Sequence, residues 1–218
     1  MVSKYGDILF IKMIYIIDKK RSIPMDVNIL LFPDFETLDA FGPVEVLGSI
    51  EQYKLRYISV SGGTIASRQG IRVLTESIKD ADSYGILLIP GGRGTRSLVN
   101  DIKFIEKLSD MVIKSKYCLS VCTGSALLAK TGLLDNKEAT SNKKAFEWVK
   151  SINTDVLWIE KARWVADQKY YTSSGVSAGI DMALGFVAER FGMNEAQKIA
   201  EQIEYIWNSD PNNDPFAV

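Results

Sequence analysis

At 218 residues, with 46% hydrophobic and 24% charged side chains, the chain has the length and balance of one globular domain with a sizeable core. Its 26 basic and 27 acidic residues leave a net charge of −1, and no long Lys/Arg run occurs, which excludes a global field directed at nucleic acid or an anionic membrane. Two cysteines and no histidine exclude a disulfide framework and a zinc site, and point to a reducing, cytoplasmic setting.

Residues 1–25 read as an N-terminal extension ahead of a single domain over 26–218. The apolar stretch "ILFIKMIYII" (8–17) is followed, not preceded, by the positive charge of "DKKRSIP". It lacks the small residues of a cleavage point and has about half the length of a membrane span. Met25, directly before "DVNILLFP", is where the functional unit is expected to start.

"VNILLF" (27–32) is a continuous apolar run, the mark of a strand buried on both faces. A helical pattern follows from Asp39, with Phe41, Val44, Val46 and Leu47 on its apolar side. "KLRYISVS" (54–61) predicts a second strand, and "ASRQGIRVLTES" (66–77) a small hairpin or excursion pivoting near Gly70. "YGILLIPGG" (84–92) is another buried strand, stopped by a glycine pair. A helix from Asp101 to about Ser115 leads to the strand "YCLSV" (117–121). "TGSALLAKTG" then predicts a short helix capped by Gly132. A less regular region carries "VLWI" (156–159) and "KYYTSSG" (169–175), and two helices, about 177–191 and 194–207, follow.

Strands alternating with helices predict a parallel α/β sheet covered on both sides, and ligands in such sheets bind beyond the carboxyl ends of the strands. "PDFETLDAFGP", "PGGRG", "VCTG" and "TSSGVSAG" all lie at such ends, so four segments can converge on one pocket.

Within them, Cys122 is the candidate nucleophile. Free cysteines usually act as small buried hydrophobes, and Cys118, inside its strand, fits that role. Cys122 is placed differently, because Thr, Gly and Ser follow it and allow a sharp strand-to-helix turn like a hydrolase elbow. The next helix N-terminus would favour the thiolate. Gly91 and Gly92 can present backbone N–H groups as an oxyanion hole; a phosphate loop is the competing reading, but no dinucleotide or P-loop motif is present. Asp39 reads either as a helix N-cap or as a proton carrier for Cys122, and Glu45 as a second acid or an exposed helix residue.

Taken together, "LLFPDFETLDAFGPVEVL", "LLIPGGRGT", "SVCTGSALLAKTGLLDNKEATS" and "YYTSSGVSAGIDMAL" resemble the ThiJ/PfpI family of the class I glutamine amidotransferase-like superfamily. Within that family the chain is most similar to the isonitrile hydratase-like branch, from about residue 26 to 207, and the tail "IWNSDPNNDPFA" resembles the same branch. The resemblance implies a flavodoxin-like three-layer α/β sandwich with a mainly parallel sheet, a nucleophile elbow and assembly as a homodimer. It makes Cys122 the nucleophile, Asp39 its acidic partner and Thr123 the threonine used beside the cysteine. Gly91 and Gly92 match the oxyanion-hole strand end, Ser173, Ser174 and Gly175 a loop near the pocket, and Glu45 a second acid that is more often structural.

Histidine marks the departure. Protease-like members place one directly after the cysteine, where this chain has Thr123, and several branches have another where it has Asn142. Without histidine there is no Cys–His dyad and no imidazole to protonate a leaving amine, so proteolysis is disfavoured. The expected activity is addition of water to a small molecule through a covalent Cys122 intermediate, most simply isonitrile to N-substituted formamide. Glyoxalase or deglycase chemistry on an electrophilic carbonyl is the alternative. A non-catalytic ligand- or redox-sensing domain is the alternative of another class; a regulator would carry a DNA-binding module after the domain, for which the stretch from the last helix to Val218 leaves no room. A small-molecule substrate is expected, with no cofactor, metal, nucleic acid or membrane partner.

Overall fold

A computed structural model of the protein describes residues 24–217. The expected N-terminal extension lies outside these residues, save that Met25 already opens the first strand. In chain order the elements are β1 (Met25–Leu30), α1 (Thr37–Gly48), β2 (Tyr53–Ser59), β3 (Gly63–Ala66), β4 (Arg72–Ser77) and β5 (Ile86–Ile89). Then come α2 (Thr95–Leu98), α3 (Ile102–Lys114), β6 (Tyr117–Val121), α4 (Gly124–Lys130) and β7 (Glu138–Ala139). The chain continues through α5 (Phe146–Ile152), β8 (Leu157–Trp158), β9 (Trp164–Asp167), β10 (Tyr170–Ser173), α6 (Ala178–Phe191) and α7 (Met193–Gln202).

Eight strands form one sheet in the order β3-β4-β2-β1-β5-β6-β10-β9. The strands from β4 to β10 run parallel, and β3 and β9 close the two edges antiparallel. This is the parallel α/β sheet that the alternation of strands and helices predicted, in the flavodoxin-like sandwich that the family resemblance implied. The order reverses direction between β1 and β5. Crossovers of one hand that run toward opposite edges place their helices on opposite faces. Accordingly α1 packs on α6 and α6 on α7 at one face, while α3, α4 and α5 follow one another on the other. Cover on both sides is why Val27, Ile29, Leu30, every residue of β5 and Cys118–Val121 are buried, and why these strands read as unbroken apolar runs.

The helix predicted from Asp101 forms with Asp101 as its N-cap, accepting from the Phe104 N–H at 3.1 Å. Its buried stripe of Phe104, Leu108, Met111 and Val112 recurs at helical spacing, each side chain contributing about 1.5–3 kcal/mol by leaving water. The hairpin predicted around Gly70 forms as β3 and β4, with Gly70 at φ +86° in the turn.

Two local expectations are corrected. The segment after residue 156 is more regular than predicted, since β9 and β10 form a tight hairpin through Gln168 and Lys169, with Gln168 at φ +57°. A two-residue turn without glycine or asparagine carries no strong sequence signal. The last helix stops at Gln202 and not near 207, because Tyr205 and Trp207 turn inward onto Asp181. The Tyr205 hydroxyl and the Asn208 N–H donate to Asp181 Oδ1, and the Trp207 indole N–H donates to the Asp181 carbonyl. Asp181 also holds the buried Arg163, whose Nε lies 2.8 Å from Oδ2.

Candidate active site

β6 ends at Val121, and Cys122 turns the chain toward α4 with φ +57°, a left-handed backbone in a residue that carries a Cβ. Such a conformation costs about 1–3 kcal/mol and persists only where its surroundings over-determine it. The Cys122 N–H donates to the carbonyls of Ser173 (3.2 Å) and Ser174 (3.0 Å). Its carbonyl accepts from the hydroxyls of Ser125 (2.9 Å) and Ser141 (2.8 Å). The elbow is thus clamped from β10 and from both segments after β6, and its side chain lines a cavity of about 380 Å³ at the sheet's carboxyl edge. Cys118 is fully buried within β6, and burial pushes its thiol up to about 12 despite the opposing Lys169 charge, as a structural cysteine should behave.

Asp39 is the third residue of α1. It is not the N-cap, a position held by Glu36. Its carboxyl turns into the protein, 0% exposed, and Oδ2 accepts from the Gly91 N–H at 2.9 Å. The Cys122 thiol and the Val176 N–H lie against this carboxyl and bias its ionisation, yet neither closes a hydrogen bond onto Oδ1, which has no partner. The Gly92 N–H donates to Thr123 Oγ1 at 3.1 Å, and the Thr95 hydroxyl reaches the same oxygen at 3.1 Å. The two glycine N–H groups expected to face a ligand are therefore engaged inside the site, one holding Asp39 and the other Thr123. It is the N–H of Thr123 that faces the sulfur.

Burial pushes the Asp39 carboxyl up to about 7; the Gly91 N–H opposes that rise and the nearby Glu36 charge adds to it. Burial, and then the charge of Asp39, push the Cys122 thiol well above the usual thiol range, against the N–H and hydroxyl of Thr123. The helix N-terminus was expected to favour the thiolate, and burial opposes it. One negative charge is shared by a coupled pair, and above about pH 7 it rests on Asp39 while Cys122 keeps its proton. The pair can hand a single proton from sulfur to carboxylate as sulfur forms a bond.

The remaining predicted residues divide. Ser173 and Ser174 are buried and act through their carbonyls, which fix the elbow. Gly175 lies against Asn142 and has no room for a Cβ. Glu45 is exposed on α1 and does not line the cavity. Sequence reasoning assigned no role to Glu36, Arg68, Arg93, Arg96, Lys144 and Val176, all of which line the cavity with Cys122. The arginines of "PGGRGTR", directly after the glycine pair, were the available signal. Val176 sits at φ +44°, an outlier for a β-branched residue beside the reacting groups.

Gly91 is required by closeness. A Cβ there would lie 2.6 Å from the Thr123 nitrogen, 2.7 Å from Thr123 Oγ1 and 2.8 Å from Asp39 Oδ2. Gly91→Ala should cost about 1–3 kcal/mol by overpacking and lower kcat/KM about 100-fold by displacing these groups. Thermal unfolding and steady-state kinetics on one preparation check this; unchanged kinetics would show that the spacing is not critical.

A cysteine held in a strained turn beyond a parallel strand, against a buried carboxyl from the β1–β2 crossover, marks one end of a flavodoxin-like sheet. The chain belongs to the DJ-1/PfpI family, which it matches over residues 25–189. It is similar to the isonitrile hydratase of Pseudomonas putida, 30% identical over 200 residues that cover 89% of this chain and 86% of that protein. A deglycase of Pyrococcus horikoshii is 27% identical over 154 residues, covering 68% of this chain and 89% of the deglycase. The transcriptional regulator GbdR of Pseudomonas aeruginosa is 24% identical over 196 residues; they cover 84% of this chain, which spans only about half (51%) of the regulator. Among solved structures, a ThiJ/PfpI family protein from Pseudomonas syringae superposes with a TM-score of 0.77 at 27% identity, over 91% of this chain and 81% of that one.

Proposed function

We propose that the protein is a cysteine-dependent enzyme that adds water to a small electrophile, converting an isonitrile to an N-substituted formamide. The observation that carries this reading is the Cys122–Asp39 pair, which can move one proton without histidine. As the sulfur bonds to the terminal carbon of the isonitrile, the Asp39 carboxylate accepts the thiol proton and then delivers it to that same carbon, giving a thioimidate on Cys122. Water, oriented by the Thr123 hydroxyl, adds its oxygen to the thioimidate carbon while Asp39 takes one water proton and passes it to the imine nitrogen; the hydroxyl proton that remains goes through Asp39 to sulfur in the next step. The C–S bond then breaks, the formamide leaves and the sulfur regains its proton.

Likeness to an isonitrile hydratase and to a deglycase supports enzymatic use of this site, and an electrophilic carbonyl suits the same pair as a second substrate class. Purified protein incubated with isonitriles and, separately, glyoxals, each in neutral and carboxylate-bearing forms, provides the test. Formamide formation by NMR, with a mass adduct on the Cys122 peptide, is expected. Turnover of glyoxals alone would select the second reading, and turnover of neither would refute the enzyme.

A further inference from the structure

Cations crowd the cavity above Cys122. Arg68, Arg93, Arg96 and Lys144 line it, and Glu36 supplies the one lining carboxylate. Glu36 is already committed, to Arg68 at 3.7 Å and to the Gln69 side-chain amide. Arg93, Arg96 and Lys144 make no ion pair among the described residues. Such an excess of one sign is unexpected in a chain of net charge −1, and a cleft lined by one sign concentrates ligands of the other. Arg96 is also pre-ordered: its guanidinium stacks 3.4 Å over the Trp148 ring, and its charge bears on the Cys122 sulfur. A stacked, planar fork of donors held over a nucleophile is suited to bind the two oxygens of an oxyanion.

We infer that the substrate of Cys122 carries an oxyanion group, a carboxylate or a phosphate, a few bonds from its electrophilic carbon, and that Arg96, Arg93 and Lys144 receive it. The inference rests on Cys122 being the nucleophile. The cations and Cys122 line one cavity of about 380 Å³, so anion and electrophile belong to one compound and lie close together in it.

Alkylation separates this inference from the reading beneath it. Iodoacetate and iodoacetamide differ in charge but hardly in size, and both consume the same thiolate, so the ratio of their rates at Cys122 cancels the thiol's ionisation. At pH 6.5, where Asp39 keeps its proton, and at low salt, the ratio should exceed that of a free cysteine peptide about tenfold, and fall in 0.5 M salt. Arg96→Met and Lys144→Met should each bring it down several-fold. Acetate and inorganic phosphate at matched ionic strength should slow alkylation, and the more effective one identifies the oxyanion. A ratio no higher than the peptide's, two variants without effect, or protection by neither anion would overturn the inference while leaving Cys122 the nucleophile. Failure of both reagents to label Cys122 at pH 6.5 and also at pH 8, where the Asp39 carboxylate can take the thiol proton, would overturn the nucleophile and this inference together.

Discussion

Asp39→Asn is expected to lower kcat by about two to four orders of magnitude while making the folded protein more stable at pH 8. The asparagine keeps the shape, and its oxygen can still accept from the Gly91 N–H, but it has no proton to exchange with Cys122. The opposite sign in stability follows from linkage. In the folded protein Asp39 holds its proton up to about pH 7, and in the unfolded chain it releases it near 3.8. Its contribution to stability is full below 3.8 and is lost as pH rises through 7, so ionised Asp39 costs the fold up to about 4 kcal/mol at pH 8. Asparagine removes that cost, and chemical denaturation at pH 5 and pH 8 should show a clearly larger gain at the higher pH. For the wild type, kcat/KM should rise through about pH 7 as the carboxylate forms, and the variant's residual activity should not. A variant as active as wild type, paired with an inactive Glu45→Gln, would reassign the acid.

Replacing the nucleophile has the other large effect. Cys122→Ala should abolish the covalent adduct and reduce turnover about 10⁴-fold or more, whereas Cys118→Ala should leave both intact. Both cysteines are buried and stand four residues apart, so the contrast isolates placement from residue type. The elbow adds a second readout. Alanine retains a Cβ in the left-handed turn and glycine does not, so Cys122→Gly should unfold at higher temperature than Cys122→Ala, by the equivalent of about 1 kcal/mol. Equal melting temperatures would mean the turn carries no strain. Turnover surviving in Cys122→Ala would end the covalent mechanism.

The strands β1, β5 and β6 were legible in the sequence because burial on both faces leaves an unbroken apolar run and a glycine or small residue where the chain turns. Those rules are local, and they sufficed to set the parallel sheet, the elbow at Cys122 and the convergence of Asp39, Gly91 and Cys122 at one edge. What local pattern does not encode is the choice of hydrogen-bond partner across long separations. Asp39 meets Gly91 from 52 residues away and Thr123 meets Gly92 from 31, so only the packed structure turned an apparent N-cap into a buried acid and an apparent oxyanion hole into a pair of braces. Desolvation decided the protonation state in the same way: whether Cys122 rests as thiol or thiolate depends on everything packed around it, and burial outweighed the Thr123 N–H. The ring of cations belongs to tertiary structure too, since Arg68, Arg96 and Lys144 lie on three separate segments that share a wall only after the sheet has closed.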